Sequence, residues 1–569
     1  MSLDNHKVAC PMDCYDACQG QMIDENIKGS KEHKTTNGKL CVNFANLLKE
    51  ENISSATFEG KKISLEESLN ILVNKLKTTT PENTLFYKGS GNLGVMQSAP
   101  KNFFTQYGST LTRGSLCDGG GGAGIEAGRQ NVINPPIQKL IDADVIVVWG
   151  RNFSVTSSHM YNLVKDKTFV TIDPIKTDIA KKSKIHMQIN PKTDYELALL
   201  FTRFAYMQDL EDKEFIEEFG SGADWFFDIS RNRPVVSYEA TTGVPLSQVN
   251  DFFDLIQNKK VAIMLGLGVQ KYFEGAQITR CIDSFAAYMG YHKLDAGGLW
   301  YLSDSAYGYE KQFDIKGNNK KISIPKVDFG SYDLVFIQGA NPIVSHPNTQ
   351  KVINGLKNTF VVYFGTTLND TCEYADLIIP SSSFLSKKDV RLSYGHELKS
   401  ISQIVKPKDE NTISEYELAT YCIEQFGFEK LKDEDEVISY YENYKPNLYD
   451  FETFDFIEEV EIEALYKDKT ADDFYFITAK SKNSLNSQFA KDDFVYLNSA
   501  TNYKDGDIVN ISSKNGSAKF VVKINNDIKT DCAFFFTGNK NANYLTPASE
   551  DESSFSAMYQ EVLVQIELS

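Results

Sequence analysis

The chain repeats one order of hydrophobic and polar positions. An apolar run over residues 145–149 is preceded by Asp144 and followed by Gly150, and a second apolar run, over residues 334–337, lies in a matching setting. Continuous apolar runs of this length are typical of strands buried on both faces. Each copy continues with a Ser-His pair, a second apolar strand, a polar turn and a third short strand. The sequence therefore predicts two related strand-helix-strand units of the doubly wound α/β class.

Polar residues stand where the strands of each copy end. Asn152 and Asn341 occupy equivalent places in Gly-x-Asn loops, and the second strands end at Asp173 and Gly365. Doubly wound sheets bind ligands at the carboxyl ends of their strands, and an acidic residue that closes the second strand can bind ribose hydroxyls. Two such units suit two nucleotides. The alternative is that these residues only cap helices and close turns.

Other patterns extend the architecture on both sides of the repeat. Leucines at helical spacing predict a helix over residues 64–77, and a strand over residues 84–87 runs into a glycine-rich turn. Such a turn admits a phosphate, although a tight turn needs glycine in any case. A helix is predicted over residues 277–289. Short strands from residue 474 onwards, separated by Asp-Gly and Asn-Gly turns, predict a small barrel.

Length and charge narrow the possible functions. The 569 residues exceed what one hydrophobic core organises, so we expect about three or four domains. A net charge of −18 argues against nucleic acid as a partner. No stretch approaches the roughly 18 apolar residues of a membrane span, and the first nine residues contain neither an apolar run nor twin arginines. We therefore expect a cytoplasmic protein without a membrane span.

Four of the nine cysteines lie within the first 41 residues. Cys10, Cys14 and Cys18 are spaced at intervals of four, and Asn37-Gly38 predicts a turn that returns Cys41 to them. Cysteines so arranged can wrap one metal centre, whereas this spacing is poor for mutual disulfides. Structural zinc is the alternative, although zinc sites usually pair cysteines that are separated by two residues. A 4Fe-4S cluster is the favoured interpretation.

Two further residues are candidates for chemistry. Cys117 stands beside four glycines, residues 119–122, for which we expect either a tight turn or a close approach of the backbone to a bulky neighbour. A lone cysteine is most often a small buried hydrophobe. His396 closes the run Arg391-Leu-Ser-Tyr-Gly-His and is a candidate proton carrier, because an imidazole titrates near neutrality. A structural role in a turn is the alternative for His396.

The cysteine run Cys10-Pro-Met-Asp-Cys-Tyr-Asp-Ala-Cys18 resembles the amino-terminal signature of the molybdopterin (bis-MGD) oxidoreductases, the dimethyl sulfoxide reductase superfamily, in its Cys-Pro-x-Asp-Cys-x-Asp-x-Cys branch. The resemblance extends to about Val564. It implies a multidomain α/β fold made of four parts: a small 4Fe-4S domain over residues 1–55, an α/β region over 56–405 with pseudo-symmetric dinucleotide-binding units at about 130–260 and 261–400, an acidic connecting segment over 406–473, and a double-psi β-barrel over 474–569.

The resemblance also implies a set of cofactors and ligands. Cys10, Cys14, Cys18 and Cys41 would hold the 4Fe-4S cluster, and Cys117 would bind molybdenum or tungsten between two molybdopterin guanine dinucleotides. One dinucleotide would use these residues: Gly150, Asn152, Asp173, Thr177 and Asp194. The other would use these: Gly266, Gly268, Gln270, Asn341, Gly365, Asp370 and Thr371. The barrel would add three contacts: Asn486, Ser487 and Asn543.

The implied function is that of an oxidoreductase that transfers an oxygen atom or a hydride on a small-molecule substrate. Electrons would pass through the cluster to or from an external protein. The sequence departs from the family at Val42, where many members carry a lysine, and at Lys192, which replaces a glycine. Asp118 follows Cys117 where the formate dehydrogenases carry a histidine, which disfavours formate oxidation. The alternatives are a non-redox, hydratase-like relative and a metal-free electron-transfer scaffold.

Overall fold

An antiparallel sheet of three strands lies at the amino-terminal end of the computed structural model, which describes residues 4–90, 92–293, 295–302, 308–445, 452–458, 460, 469–489 and 492–569. Its strands are Lys7–Ala9, Gln19–Ile23 and Asn26–Gly29, and helix Val42–Leu47 follows. Asn37 and Gly38 both have positive φ, at 45° and 78°, which confirms the predicted turn before Cys41.

The first repeat forms a five-stranded parallel sheet. Its strands, in spatial order, are Ile185–Met187, Thr168–Ile172, Val145–Trp149, Val261–Leu265 and Gly298–Trp300. The central strand is buried along its whole length, as its continuous apolar run predicts. Helices Asp194–Met207 and Gly275–Tyr288 pack on the sheet and contribute many of the largest buried side chains of this core.

The second repeat forms the centre of an eight-stranded sheet. Its strands, in spatial order, are Lys321–Ser323, Thr110–Arg113, Thr84–Lys88, Leu334–Gln338, Phe360–Gly365, Leu377–Pro380, Ala56–Phe58 and Lys61–Ile63. The first six are parallel, and the last two pair antiparallel. The predicted helix is confirmed as Leu65–Thr78, where the Ser64 side chain accepts a hydrogen bond from the Glu67 N–H at 3.1 Å.

The strand Val261–Leu265 corrects the grouping predicted from the sequence, which placed residues 261–400 together in the second unit. The strand pairs in parallel with Val145–Trp149 and lies in the five-stranded sheet. Its place beside Leu334–Gln338 is taken by Thr84–Lys88. All these strands are buried apolar runs, so the hydrophobic pattern fits either sheet and only long-range pairing decides between them.

The barrel is closed and has six strands: Asp473–Ala479, Cys532–Phe536, Phe494–Leu497, Gly516–Ile524, Ile508–Ser513 and Leu563–Leu568. Two pairings are parallel and the others antiparallel, and alternate residues of the strands fill the interior. The predicted barrel is therefore confirmed.

Helices and short two-stranded ribbons complete the described structure. The helices not yet named are Ala99–Tyr107, Gly119–Arg129, Ile137–Ile141, Phe153–Thr156, Ser158–Val164, Lys213–Phe219, Ala223–Ser230, Val235–Thr242, Leu246–Ile256, Pro342–Ser345, Thr349–Leu356, Glu415–Phe426 and Glu434–Asn443. The ribbons pair Gly220–Ser221 with Phe454–Asp455, Asp389–Leu392 with Lys399–Ser402, Ser484–Leu485 with Gln488–Phe489, and Glu550–Asp551 with Ser556–Ala557. None of the helices among the described residues is both long and apolar enough to cross a bilayer.

The acidic segment over residues 406–473 is only partly described, because residues 446–451, 459 and 461–468 lie outside the described ranges. Its helices Glu415–Phe426 and Glu434–Asn443 pack on the eight-stranded sheet through one apolar face each. The acidic side chains of Glu434, Asp435 and Glu436 occupy the first turn of the second helix, where the helix dipole favours negative charge.

Candidate active site

Two cavities, of about 350 Å³ and 880 Å³, lie where the amino-terminal segment, the two sheets and the barrel meet. The smaller one lies against the first sheet and the larger one against the second. Eight residues line both cavities: Met12, Asp13, Cys117, Leu267, Lys271, Thr478, Lys480 and Thr537. Cys117 therefore lies at the junction of two cavities, each of a size that suits a small-molecule or cofactor site.

The loop of Cys117 is held by hydrogen bonds on both sides. Its N–H donates to the Ser115 hydroxyl at 2.8 Å, and its carbonyl accepts from Gln270 Nε2 and Lys271 Nζ at 2.7 Å each. Gln270 Oε1 also accepts from the Gly121 N–H at 3.0 Å. Gln270 is buried and lines neither cavity, so it fixes the loop from behind. These bonds orient the sulfur without engaging it.

Lys271 is a site residue that the sequence reasoning missed. Burial lowers its pKa to about 8, while the neighbouring Cys117 and Asp118 act in the opposite direction. Burial likewise raises the pKa of the Cys117 thiol to about 12, against a smaller lowering by Lys271. A bound metal cation reverses this preference, because a coordinating thiol is deprotonated outright. One feature of the sequence could have indicated Lys271: it directly follows the glycine-containing loop of residues 266–270.

The four glycines form the first turn of helix Gly119–Arg129, which excludes the first of the two alternatives, a tight turn. The other expectation, close approach, is confirmed. A Cβ on Gly119 would stand 2.1 Å from the Ser556 hydroxyl, and one on Gly121 would stand 2.2 Å from the Tyr301 ring. The bulky neighbours are therefore the side chains of Ser556 and Tyr301, against which helix Gly119–Arg129 packs.

The four amino-terminal cysteines line one cavity, the smaller of the two. All four are free thiols; Cys10 and Cys18 are buried, whereas Cys14 and Cys41 are half-buried. The Cys10 N–H donates to the Cys18 carbonyl at 2.9 Å, which closes the loop between them. Burial raises the pKa of the thiols of Cys10, Cys14 and Cys18. Within the described ranges, no three ligand-type side chains are gathered closely enough to hold a single metal ion.

The residues predicted for one dinucleotide lie together in the smaller cavity. The list comprises Gly150, Asn152, Asp173, Thr177 and Asp194. Burial raises the pKa of Asp173 to about 7, against a backbone N–H from Ile175 that lowers it. Asp194 accepts from Trp149 Nε1 at 2.7 Å, and burial raises its pKa to about 6.

Gly266 and Gly268 also line the smaller cavity, whereas the family resemblance implied that they would hold the second dinucleotide. Their strand belongs to the first sheet, so the loop after it returns to Gly150. The Gly268 N–H donates to the Gly150 carbonyl at 3.1 Å, and a Cβ on Gly266 would stand 2.1 Å from that oxygen. Glycine is required at position 266 because the two strand-end loops touch there.

The residues predicted for the other dinucleotide gather at the larger cavity. Asn341, Gly365, Asp370, Asn486, Ser487 and Asn543 line it. Asn341 Nδ2 donates to Asp370 at 3.0 Å, and the Thr371 hydroxyl donates to Asn341 Oδ1 at 2.9 Å. Thr371 is buried behind this pair and lines neither cavity. The polar residues predicted at the strand ends, Asn341, Asp370 and Thr371, thus form one hydrogen-bonded network although they lie about thirty positions apart in the chain.

Two barrel asparagines tie the barrel to the rest of the site. Asn486 Nδ2 donates to Asp13 at 3.0 Å, and Asn486 Oδ1 accepts from Lys480 at 2.5 Å. Asn543 Nδ2 donates to the Val344 carbonyl at 2.6 Å. The barrel therefore closes over both cavities through specific polar contacts.

Lys192 adds a buried ionic contact between the barrel and the first sheet. The residue has φ of 61°, and its ammonium group is fully buried. Its Nζ lies 2.9 Å from Glu274 and 3.0 Å from Glu561, which lies just before the last barrel strand, Leu563–Leu568. A second ion pair across the same boundary, Lys181 with Asp527, is partly exposed, with 44% and 31% of the two side chains accessible.

His396 is fully buried and lines neither cavity. Its Nδ1 accepts from the Leu398 N–H at 3.2 Å, so Nε2 carries the proton and donates to the Asp16 carbonyl at 3.1 Å. Burial lowers its pKa to about 3. These contacts favour the structural alternative, in which a neutral imidazole joins the cysteine loop to the ribbon after Arg391.

Comparisons with known proteins agree with this architecture. The family model of molybdopterin oxidoreductase matches residues 59–414, and that of the molybdopterin dinucleotide binding domain matches residues 474–563. Probable oxidoreductase YyaE of Bacillus subtilis is 25% identical over 455 residues, which cover 71% of this chain and 66% of that protein. Trimethylamine-N-oxide reductase 1 of Escherichia coli is 21% identical over 294 residues, 42% of this chain and 35% of that protein.

A solved structure shares the fold over nearly the whole chain. Acetylene hydratase from Pelobacter acetylenicus superposes with a TM-score of 0.81 at 15% identity, covering 99% of this chain and 100% of that chain. The family model matches more than half of the sequence. The chain therefore belongs to the molybdopterin oxidoreductase family, within the dimethyl sulfoxide reductase superfamily that its cysteine signature resembles.

Proposed function

We propose that the protein is a molybdenum- or tungsten-dependent bis-MGD oxidoreductase that transfers an oxygen atom or a hydride and relays electrons through a 4Fe-4S cluster. The observation that carries this proposal is the position of Cys117, which lies at the junction of two cavities, one of which is also lined by four free thiols. A soft thiolate suits either metal.

The residues present fit two dinucleotides. Asp173, with its pKa raised to about 7, and Asp194 would bind ribose or guanine groups in the smaller cavity. Asn341 and Asp370 would do so in the larger cavity, held in place by Thr371. When bound, the metal-dithiolene centre supplies the two-electron chemistry, and the protein supplies ligands, orientation and electrostatics.

The chain's own residues would orient the Cys117 sulfur. Gln270 and Lys271 hold its carbonyl, so the thiolate is presented to the junction rather than to the packed helix behind it. The ammonium of Lys271 favours the thiolate form. A small-molecule substrate would reach Cys117 at the junction of the two cavities, where the same residues line both.

The four amino-terminal thiols fit an iron–sulfur cluster by the chemistry of the donor set, since Fe–S clusters are held by cysteine thiolates. An external electron carrier would dock beside Cys41, where Val42 is 63% exposed.

A hydratase-like function is the second candidate. The specific observation in its favour is the fold that the chain shares with acetylene hydratase from Pelobacter acetylenicus. Such an enzyme adds water without a net redox change. A change in the metal's oxidation state during turnover with a reductant or oxidant would separate the two functions.

Elemental analysis and pterin detection on anaerobically purified protein test the proposal. We expect molybdenum or tungsten, pterin, iron and sulfide; absence of both metals and of pterin would refute it. Cys117→Ala should abolish activity and lower molybdenum or tungsten content while the iron–sulfur spectrum stays unchanged. The matched control is Cys422→Ala, a buried thiol packed in the core of the second sheet, which should keep the metal. Full activity in Cys117→Ala would contradict its role.

A further inference from the structure

Arg391 is a buried arginine without a carboxylate partner among the described residues. It lies in strand Asp389–Leu392 and is 1% exposed. Its Nη2 donates to the Cys14 carbonyl at 3.0 Å. Its Nε and Nη1 are buried and make no hydrogen bond within the described parts of the chain. Only one of three guanidinium nitrogens is therefore satisfied.

The acidic groups of the cysteine loop and of the same strand are engaged elsewhere. Asp16, in the cysteine loop, accepts from the His159 and Met160 N–H groups at 2.9 and 3.1 Å. Asp389, on the same strand, accepts from the Met96 and Val390 N–H groups at 3.0 and 2.8 Å. Glu415 pairs with Lys387 at 2.6 Å. Asp13 accepts from the Tyr394 hydroxyl at 3.1 Å and from Asn486 at 3.0 Å. No described carboxylate lies within 4.0 Å of the guanidinium.

The guanidinium reaches the cysteine loop through its hydrogen bond to the Cys14 carbonyl. Its carbon stands 5.7 Å from the centroid of the Tyr394 ring, which packs against Tyr15 of the cysteine loop. The arginine thus lies directly behind the loop that carries three of the four thiols.

A guanidinium stays protonated, and burying an unpaired charge is strongly unfavourable unless an opposite charge is nearby. Thiolates that hold an iron–sulfur cluster provide such a charge, because cysteinate ligands give the cluster a net negative charge. The reduction potential of a cluster depends on net charge and hydrogen bonding around it. A fixed positive charge favours the reduced form, which carries one more electron.

We infer that Arg391 is the buried counter-charge of the cluster held by Cys10, Cys14, Cys18 and Cys41, and that it raises the cluster's reduction potential. This inference rests on the cluster of the proposed function. Arg391 is a positioning residue: it would affect turnover only by changing the reduction potential of the cluster.

Potentiometric titration of the anaerobically purified holoenzyme, followed by the EPR signal of the reduced cluster, tests the inference. Arg391→Gln removes the charge and keeps a donor for the Cys14 carbonyl, whereas Arg391→Lys keeps the charge. We expect the glutamine variant to be at least tenfold harder to reduce, a downward shift of about 59 mV for a one-electron couple. The lysine variant should recover most of that shift. Arg231→Gln, an exposed arginine, is the control for net charge and should leave the potential unchanged.

The other outcomes are equally decisive. A glutamine variant with the wild-type potential overturns the inference. If that variant is folded but retains little iron while Arg391→Lys retains it, the charge is needed for the cluster and the counter-charge stands. The potential of the remaining iron-containing fraction then decides whether Arg391 raises the reduction potential. If both variants lack iron, the role is one of shape and the inference fails. Wild-type protein without iron and sulfide would overturn the proposed cluster itself, and this is seen before any variant is made.

Discussion

Replacement of Lys192 by methionine should loosen the barrel from the first sheet. Lys192 Nζ contacts Glu274 and Glu561 at 2.9 and 3.0 Å, and removal leaves two facing carboxylates. Breaking a buried ion pair by removing one partner costs about 3–5 kcal/mol. Because the Glu274 side chain is 20% exposed, we expect the lower limit, about 3 kcal/mol. That is roughly a hundredfold rise in the open fraction.

Hydrogen exchange at the boundary measures this opening directly. The Gln560 N–H donates to the Lys271 carbonyl at 3.0 Å, so it exchanges only when the barrel undocks. Exchange there should be about a hundredfold faster in Lys192→Met. The matched control is Lys181→Met, which breaks the partly exposed pair with Asp527 across the same boundary and should cost below about 1 kcal/mol. Equal exchange rates in the two variants would refute the buried-contact reasoning.

Two further predictions concern packing and pH. Gly121→Ala places a Cβ 2.2 Å from the Tyr301 ring and should lower the free energy of unfolding by about 1–3 kcal/mol, whereas Gly122→Ala, with nothing within 4 Å, should be neutral or stabilising by up to about 1 kcal/mol. Thermal denaturation measures the stability of both variants. Equal losses of stability would show that the contact with the Tyr301 ring does not determine the cost of the Gly121→Ala change. His396 has its pKa lowered from 6.5 to about 3 by burial, so the unfolded chain takes up the proton first as pH falls. The free energy of unfolding of the wild type, relative to that of His396→Gln, should therefore fall as the pH is lowered from about 7 towards about 3. Urea titrations at several pH values below 7 measure this difference, and a constant difference would contradict a buried neutral imidazole.

The repeat made the two sheets predictable, because continuous apolar runs followed by Gly-x-Asn loops mark the ligand ends of parallel strands. It could not assign Val261–Leu265 to its sheet. That strand and Thr84–Lys88 are both short buried runs, and only pairing across more than a hundred residues separates them.

Local patterns found the polar residues of the site but not the buried cations. Asn341 and Thr371 stood out because they follow strands, and the structure joins them by one hydrogen bond. Lys271 and Arg391 look like ordinary surface residues in a sequence. Their burial depends on how distant elements pack, which no short window of sequence records. The glycines at 119–122 suggested a turn by propensity, and tertiary packing made them a helix.

The walls of the two cavities also set an order of assembly. Pro11 and Tyr559 both line the larger cavity, so the lining residues that lie furthest apart in the chain are 548 positions apart. At roughly 5–20 residues per second of synthesis, half a minute to two minutes separates the appearance of one wall from that of the other. The cysteine loop is therefore available well before any enclosed space for a dinucleotide exists. A large cofactor would therefore have to enter while the barrel is still unmade or undocked, and the contact of Lys192 with Glu561 is one of those that then close the site.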